Sequence, residues 1–313
     1  MKKRNLGKSG LQVSAIGLGC NNFGWYIDLE ASRKVIHKAL DSGVTLFDTA
    51  DIYGGNGASE TIMGQIFGDR RKDIILATKF GMAMDTAGVM KGASRRYIMS
   101  AVEDSLRRLQ TDWIDLYQLH QPDPLTPIDE TLRALDDLIH QGKVRYIGCS
   151  NLPAWQVVQS QWTSRELGIN RFICCQDEYS LLVREPEREL MPAINAYDLG
   201  LLPFFPLAAG MLTGKHKRGK SAEGSRLAKT KRLSDRYMTD ANWKIVEELE
   251  AFCDKGGHSL LELAFSWLSS RPEVTSVIAG ATSPEQIEQN VKAADWKLTP
   301  EEIAEVDRIA QKS

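Results

Sequence analysis

The sequence predicts a (β/α)8 barrel with an amino-terminal β-hairpin and extra carboxyl-terminal helices, and three observations carry that prediction. Eight short apolar runs alternate with segments of helical period, the order that calls for parallel strands joined by helical crossovers. The alternation fills all 313 residues without a linker or low-complexity tract, so one domain over 1–313 is expected, built of eight units of roughly 30 to 40 residues. Successive runs also end in polar groups: Val44 to Phe47 stops at Asp48, Ile74 to Thr78 at Lys79, and Ile114 to Leu119 at His120. A barrel gathers the carboxyl ends of its strands on one rim, where such groups meet.

The elements follow in order. Met1 to Gly10, with Gly7 and Gly10 as turn residues, reads as a short hairpin, and 13–19 as the first strand. Val35, Ile36, Ala39 and Leu40 recur at helical spacing within 31–41, and Gly43 closes that helix. Strand 44–48 leads through the turn cluster Gly54-Gly55-Asn56-Gly57 to a helix over 59–67 opened by Ser59-Glu60. Then come strand 73–79, helix 95–109, strand 113–119, helix 127–141, strand 143–149, helix 153–167, strand 171–176, helix 187–199 and strand 201–205. After a long polar loop the pattern gives helices 240–255 and 259–270, strand 274–279, helix 284–294 and a last helix from about 300. A doubly wound sheet is the competing fold. Against it, Gly17-Leu18-Gly19-Cys20-Asn21-Asn22 lacks the third glycine of a dinucleotide-binding turn, and no phosphate-binding G-x-x-x-x-G-K-[ST] is present.

Composition narrows the function class. With 42% hydrophobic and 26% charged residues and a formal net charge of -2, the chain gives no reason to expect nucleic acid or an anionic membrane as partner. No apolar run reaches the ~18 residues of a spanning helix, and Met1-Lys2-Lys3-Arg4 is not followed by a signal-type apolar stretch. A cytoplasmic protein is expected. The five cysteines, at 20, 149, 174, 175 and 253, lack zinc-site spacing and read mainly as buried hydrophobes, so no metal is expected.

The polar strand ends suggest a chemistry. Tyr53 lies five residues beyond Asp48 in a Gly-rich loop. A phenol with a pKa of about 10 is a weak acid at neutral pH, and a nearby ammonium stabilises its phenolate. Lys79 supplies that charge in this reading, and Asp48 compensates the buried cation. His120 donates a hydrogen bond to a substrate oxygen or relays the proton. The set suits protonation of a carbonyl oxygen while its carbon receives hydride, which side chains cannot supply, so a nicotinamide cofactor is required.

Several long stretches then point to one family: FDTADIYGGNGASE (47–60), ATKFG (77–81), IDLYQLHQPD (114–123), RYIGCSN (145–151), CQDEYSLL (175–182), PLAAGMLTGK (206–215) and GATSPEQIEQN (280–290). In these the chain resembles the aldo-keto reductases, in particular a bacterial branch similar to the potassium-channel β-subunits. The resemblance implies a barrel that binds NADPH/NADP+ across its rim, with NADH less favoured. It implies reversible reduction of small aldehydes or ketones to alcohols, with Asp48, Tyr53, Lys79 and His120 as the catalytic tetrad and Tyr53 as general acid. The alternative it implies is a nicotinamide-binding regulatory or redox-sensing subunit with little turnover.

Residue by residue, the resemblance implies a cofactor site of Gly19, Cys20, Asn22 and Asp48 near the first two strands. Ser150, Asn151 and Gln176 would bind the carboxamide, and Phe204 would stack on the ring. Pro206, Leu207, Gly210, Leu212, Gly214 and Lys215 would wrap the pyrophosphate, with Arg226 at the 2′-phosphate and Gly280, Thr282, Gln286 and Asn290 at the adenosine. Gly280 and Gln286 replace the Lys and Arg of the aldose-reducing branch, so the preference for NADPH rests on Arg226 and Thr282. Phe205 replaces a small Ser and is expected to pack. Phe23, Trp25, Tyr53, Phe80 and His120 are expected to line the substrate pocket, beside a loop carrying Met82, Met84 and Met90.

Overall fold

The computed structural model describes residues 1–311; Lys312 and Ser313, the end of the 1–313 span, lie outside the described residues. A hairpin of β1 (Lys3–Asn5) and β2 (Gln12–Ser14) opens the chain, antiparallel with Arg4 opposite Val13. Its apolar side chains Leu6, Leu11 and Val13 join Leu46, Ala77, Leu116, Cys174, Leu202 and Ile278 in one buried cluster. The hairpin therefore plugs the barrel, its residues meeting those of five strands. Gly7 is required at its turn: φ is +56°, and a Cβ there would lie 2.7 Å from the carbonyl oxygens of Asp198 and Ile173.

Eight parallel strands follow: β3 (Ile16–Gly19), β4 (Leu46–Asp48), β5 (Ile75–Phe80), β6 (Ile114–Leu119), β7 (Val144–Ser150), β8 (Phe172–Gln176), β9 (Gly200–Leu201) and β10 (Val277–Gly280). The sheet order is β10-β3-β4-β5-β6-β7-β8-β9. Its two edges meet through Leu201 N–H to Glu273 O at 2.8 Å, Thr275 N–H to Leu201 O at 2.9 Å and Ile278 N–H to Pro203 O at 2.9 Å. The curled sheet with its alternating helices is the expected (β/α)8 fold. The barrel helices are α1 (Leu29–Asp41), α2 (Ala58–Phe67), α3 (Arg95–Leu109), α4 (Ile128–His140), α5 (Ala154–Leu167), α6 (Leu190–Ala196), α10 (Leu260–Ser270) and α11 (Pro284–Ala293). Outside them run α7 (Arg226–Lys229), α8 (Lys231–Tyr237), α9 (Asp240–Gly256) and α12 (Pro300–Ala310). Ser259 and Thr299 form capping boxes with Glu262 and Glu302, whereas α2, expected to open at Ser59-Glu60, starts at Ala58 after Gly57 without a side-chain cap.

Several expected boundaries shift. The strand read over 13–19 divides at Ala15, because the Ser14 hydroxyl donates to Ile16 O at 2.6 Å and accepts the Thr45 N–H at 2.9 Å. The chain turns there from hairpin to barrel. The strand read over 201–205 is only Gly200–Leu201, since Pro203 brings no N–H and Phe205 adopts a left-handed φ of +51°. The helix read over 187–199 is confined to Leu190–Ala196, with a 3-10 turn at Glu185–Glu187 before it and Pro192 in its first turn. The polar loop after β9 holds a 3-10 segment, Ala208–Thr213, besides α7 and α8. All five cysteines are free and buried, and among the described residues no helix is long and apolar enough to cross a membrane.

Candidate active site

The strand register sets the site. β4, β5 and β6 run in parallel with Asp48 opposite Ala77 and Lys79 opposite Gln118, so the polar residues of three neighbouring strand ends converge. Lys79 is fully buried, and its Nζ donates to Asp48 Oδ2 at 2.6 Å and to the Thr49 carbonyl at 2.9 Å. The other Asp48 oxygen accepts from Gln176 Nε2 at 2.9 Å and Gln118 Nε2 at 3.2 Å. An ion pair taken out of water persists only when its remaining lone pairs are satisfied, and both carboxylate oxygens are. Tyr53 sits above it, with the ammonium 5.2 Å from its ring centroid and the His120 ring edge-on at 5.6 Å.

Electrostatics assign the protons. Burial alone would lower the pKa of Lys79, but Asp48 and Tyr53 outweigh it and the ammonium is held above its ordinary value. Burial raises the Tyr53 phenol; Lys79 pulls it down through its charge and a hydrogen bond, Asp48 pushes it up, and the net direction is upward. The expected acidification by Lys79 is thus present as one contribution and is exceeded by burial. Burial first and Lys79 second bring His120 down to about 3, so at neutral pH it is the uncharged imidazole. Its Nδ1 is buried without a hydrogen-bond partner.

These groups open on a cleft of about 680 Å³ at the rim, with Asp48, Tyr53 and His120 on its wall and Lys79 beneath. Of the other residues singled out in the sequence, the wall includes Gly19 at the end of β3, Asn22 from the loop after it, and Ser150, Asn151 and Gln176 from the ends of β7 and β8. It continues through Phe204, Pro206, Leu207, Gly210, Lys215 and Arg226, and closes with Gly280, Thr282, Gln286 and Asn290. The Arg226 guanidinium donates to Asn22 Oδ1 at 2.6 Å and lies 5.4 Å from the Tyr26 ring centroid and 5.7 Å from that of Phe205. It makes no ion pair among the described residues. Gly280 keeps the floor open, since a Cβ there would come within 3.1 Å of Asn22 Nδ2.

Six expected positions fall elsewhere. Cys20 is fully buried, its N–H bonded to Asp48 O at 2.8 Å and its thiol turned to Leu18 O. Leu212 is in the core, and Gly214, at φ +72°, lies off the cleft near Glu250. Phe23, Trp25 and Phe80, expected at the substrate pocket, are not on this wall. Phe23 is fully buried in the core, Phe80 packs on Tyr117 at 4.7 Å, and Trp25 is 73% exposed, stacked on Tyr26. The loop turns back at Phe23 and Ile27, which puts Tyr26 and Ile27 on the wall instead. Phe205, expected to pack, is also on the wall. Sequence reasoning missed Gln118, although a Gln inside the apolar run Ile114–Leu119 is the kind of buried polar group that demands a partner.

The sequence pattern of the aldo/keto reductase family matches residues 15–311. A probable voltage-gated potassium channel subunit beta of Oryza sativa subsp. japonica is 37% identical over 320 aligned residues, covering 99% of this chain and 97% of that protein. The uncharacterized oxidoreductase YrpG of Bacillus subtilis (strain 168) is 36% identical, covering 96% of this chain and 93% of its own. An L-glyceraldehyde 3-phosphate reductase of Escherichia coli (strain K12) is 33% identical, covering 98% and 92%. The chain belongs to the aldo/keto reductase family. That membership and the oxidoreductases among its relatives support an oxidoreductase acting on small molecules.

Proposed function

We propose that the chain is one functional unit, an NADP(H)-dependent reductase of aldehydes or ketones, reversible toward alcohol oxidation, acting in the cytoplasm. The observation that carries the proposal is the buried Lys79–Asp48 pair set against the Tyr53 phenol on the wall of the cleft. The donor set suits a dinucleotide. Arg226 and Lys215 bring positive charge, Gly280 leaves room for close approach, and the Ser150 hydroxyl and the side-chain amides of Asn151 and Gln176 cluster at the end of β7 and β8. Bound nicotinamide coenzyme supplies the hydride. Tyr53 holds its proton at neutral pH and delivers it to the carbonyl oxygen; Lys79 stabilises the phenolate left behind, and Asp48 fixes Lys79. His120, neutral at this pH, orients the substrate oxygen by hydrogen bonding and is no competing acid.

The similarity to an L-glyceraldehyde 3-phosphate reductase favours small hydroxylated or phosphorylated aldehydes as substrates. Similarity to a channel β-subunit over nearly the whole chain supports a second reading, a coenzyme-binding subunit with little turnover. The test is NADPH oxidation followed at 340 nm, with a panel of aldehydes, wild type against Tyr53→Phe. A loss of about a hundredfold or more in kcat with NADPH affinity within threefold is expected; retained turnover in Tyr53→Phe would remove the assigned acid. Tight NADPH binding by the wild type without turnover on any aldehyde would favour the second reading.

A further inference from the structure

Ser59 stands where the sequence suggests a helix opener, but its hydroxyl does not cap α2, which begins at Ala58 after Gly57 without a side-chain cap. The hydroxyl is turned into the barrel instead. It donates to the Cys20 carbonyl at 2.8 Å, and the Thr49 hydroxyl lies 2.8 Å from the same Ser59 oxygen. A hydroxyl carries one proton, so with Ser59 donating to Cys20, Thr49 donates to Ser59. All three residues are fully buried, and the shared hydroxyl joins the residue after β3, the residue after β4 and the first turn of α2. Their main chains reach the groups of the site. The Ser59 N–H donates to the Tyr53 carbonyl at 3.1 Å and the Cys20 N–H to the Asp48 carbonyl at 2.8 Å, while the Thr49 carbonyl accepts Lys79 Nζ at 2.9 Å.

We propose that Ser59 is a positioning residue for the proton donor, its hydroxyl locking the start of α2 onto the ends of β3 and β4 so that Tyr53, Lys79 and Asp48 keep a fixed spacing. This rests on the reductase reading, with Tyr53 as the acid. Gly54, Gly55 and Gly57 follow Tyr53, so the turn has little stiffness of its own, and the bond from the Ser59 N–H to the Tyr53 carbonyl closes it. Transfer of a proton depends steeply on placement, and a shift of about 1 Å can cost about a hundredfold in rate. A hydroxyl that only held the fold together would change stability and leave the turnover of the folded enzyme as it is.

The experiment compares wild type, Ser59→Ala, Thr49→Val, Thr49→Ser and the double variant Ser59→Ala/Thr49→Val. Ser266→Ala is the control, since it loses a buried hydroxyl bonded to Ala293 O at 2.9 Å between α10 and α11. Three quantities are read: kcat with NADPH and glyceraldehyde or benzaldehyde, NADPH Kd by quenching of intrinsic fluorescence, and hydrogen exchange of the residue-59 amide without coenzyme. Ser59→Ala is expected to lower kcat at least tenfold, to keep the NADPH Kd within about threefold and to speed the exchange about tenfold. Thr49→Val should lower kcat about threefold and Thr49→Ser should match wild type. The double variant should be no slower than Ser59→Ala, because Thr49 acts through Ser59. Ser266→Ala should lose stability at unchanged kcat. Unchanged kcat in Ser59→Ala, a double loss equal to the product of the single ones, or an equal loss of kcat in Ser266→Ala would overturn the proposal. Thr49→Val against Thr49→Ser carries the test if Ser59→Ala does not fold. A wild type that reduces neither aldehyde would remove the reductase reading, and exchange at residue 59, which needs no substrate, would show separately whether the hydroxyl holds the Tyr53 carbonyl.

Discussion

Asp48→Asn provides the sharpest test of the site's electrostatics. Lys79 is fully buried and has two acceptors, Asp48 Oδ2 and the Thr49 carbonyl. The second Asp48 oxygen receives two amide donors, from Gln118 and Gln176. An amide at position 48 offers one oxygen and one NH2 group with two N–H donors, so either Lys79 or the two glutamines face a donor. Breaking a buried pair by neutralising one partner costs about 3–5 kcal/mol, and because an oxygen remains to bond Lys79 the lower end is expected, about 3 kcal/mol. Lys79→Met should cost a similar amount by leaving the carboxylate uncompensated. The double variant removes both charges, so its loss should fall short of the sum by about 2 kcal/mol or more. Urea unfolding of the four proteins at pH 7 reads the coupling. In the wild type the Lys79 pKa is raised by its partners, so its contribution is present below the ordinary 10.5 and lost only above it. Without Asp48 burial dominates and lowers that pKa, so the folded variant binds fewer protons than the unfolded chain just below pH 10.5, and its stability climbs with pH there. Single losses that add within about 0.5 kcal/mol, or a deficit that does not narrow between pH 8 and 10, would refute the reasoning.

Three further outcomes follow from buried groups. Burial and Glu60 raise Asp51 from 3.8 to about 7 against the pull of Arg108; the unfolded chain loses that proton first, so stability falls as pH rises through this window. Asp51→Asn should therefore gain on the wild type from pH 4 to 7, by at most about 4 kcal/mol, measured as midpoints of urea unfolding; a gap independent of pH would contradict the assignment. Gly64→Ala adds a Cβ 2.3 Å from the Arg108 carbonyl where α2 crosses the end of α3, and despite the better helix propensity it should lose about 2–3 kcal/mol; an unchanged Tm would show that the helices can part freely. Arg226→Ala should weaken NADPH binding at least tenfold and NADH binding far less if this guanidinium meets the 2′-phosphate; equal losses would place it elsewhere on the coenzyme.

Much of this was legible because strand ends carry their own signal. A charged residue closing an apolar run must be paid for by a partner, and in a parallel barrel the partners stand on adjacent strands; Asp48, Lys79 and His120 announced themselves that way. What the sequence could not give was the side on which a residue leaves its strand or loop. Phe23 and Phe80 read as pocket walls because they adjoin the proposed catalytic residues, yet in the loop after β3 and at the end of β5 the chain turns them into the core, a geometry that composition does not encode. Gln118 was silent for a related reason. Its importance lies in a hydrogen bond to Asp48, 70 residues away in sequence, and only the register makes that bond visible.

In the proposed reaction, the proton assignments also bear on why Tyr53 and His120 cannot exchange roles. Half-buried Tyr53 and buried His120 lie beside the same ammonium, but Lys79 acts on them with opposite consequences for a proton donor. Next to the phenol it favours the phenolate, lowering the cost of giving the proton away, while burial opposes that loss. Beside the imidazole it disfavours the protonated form, and burial does the same, so His120 has no proton to give except the one on a neutral ring nitrogen. In that proposed reaction, the same cation that eases proton loss from Tyr53 therefore disqualifies His120. A site with Lys79 removed would relax both constraints together, and a pH–rate profile of Lys79→Met that still rose and fell as the wild type's would mean that the ammonium sets neither.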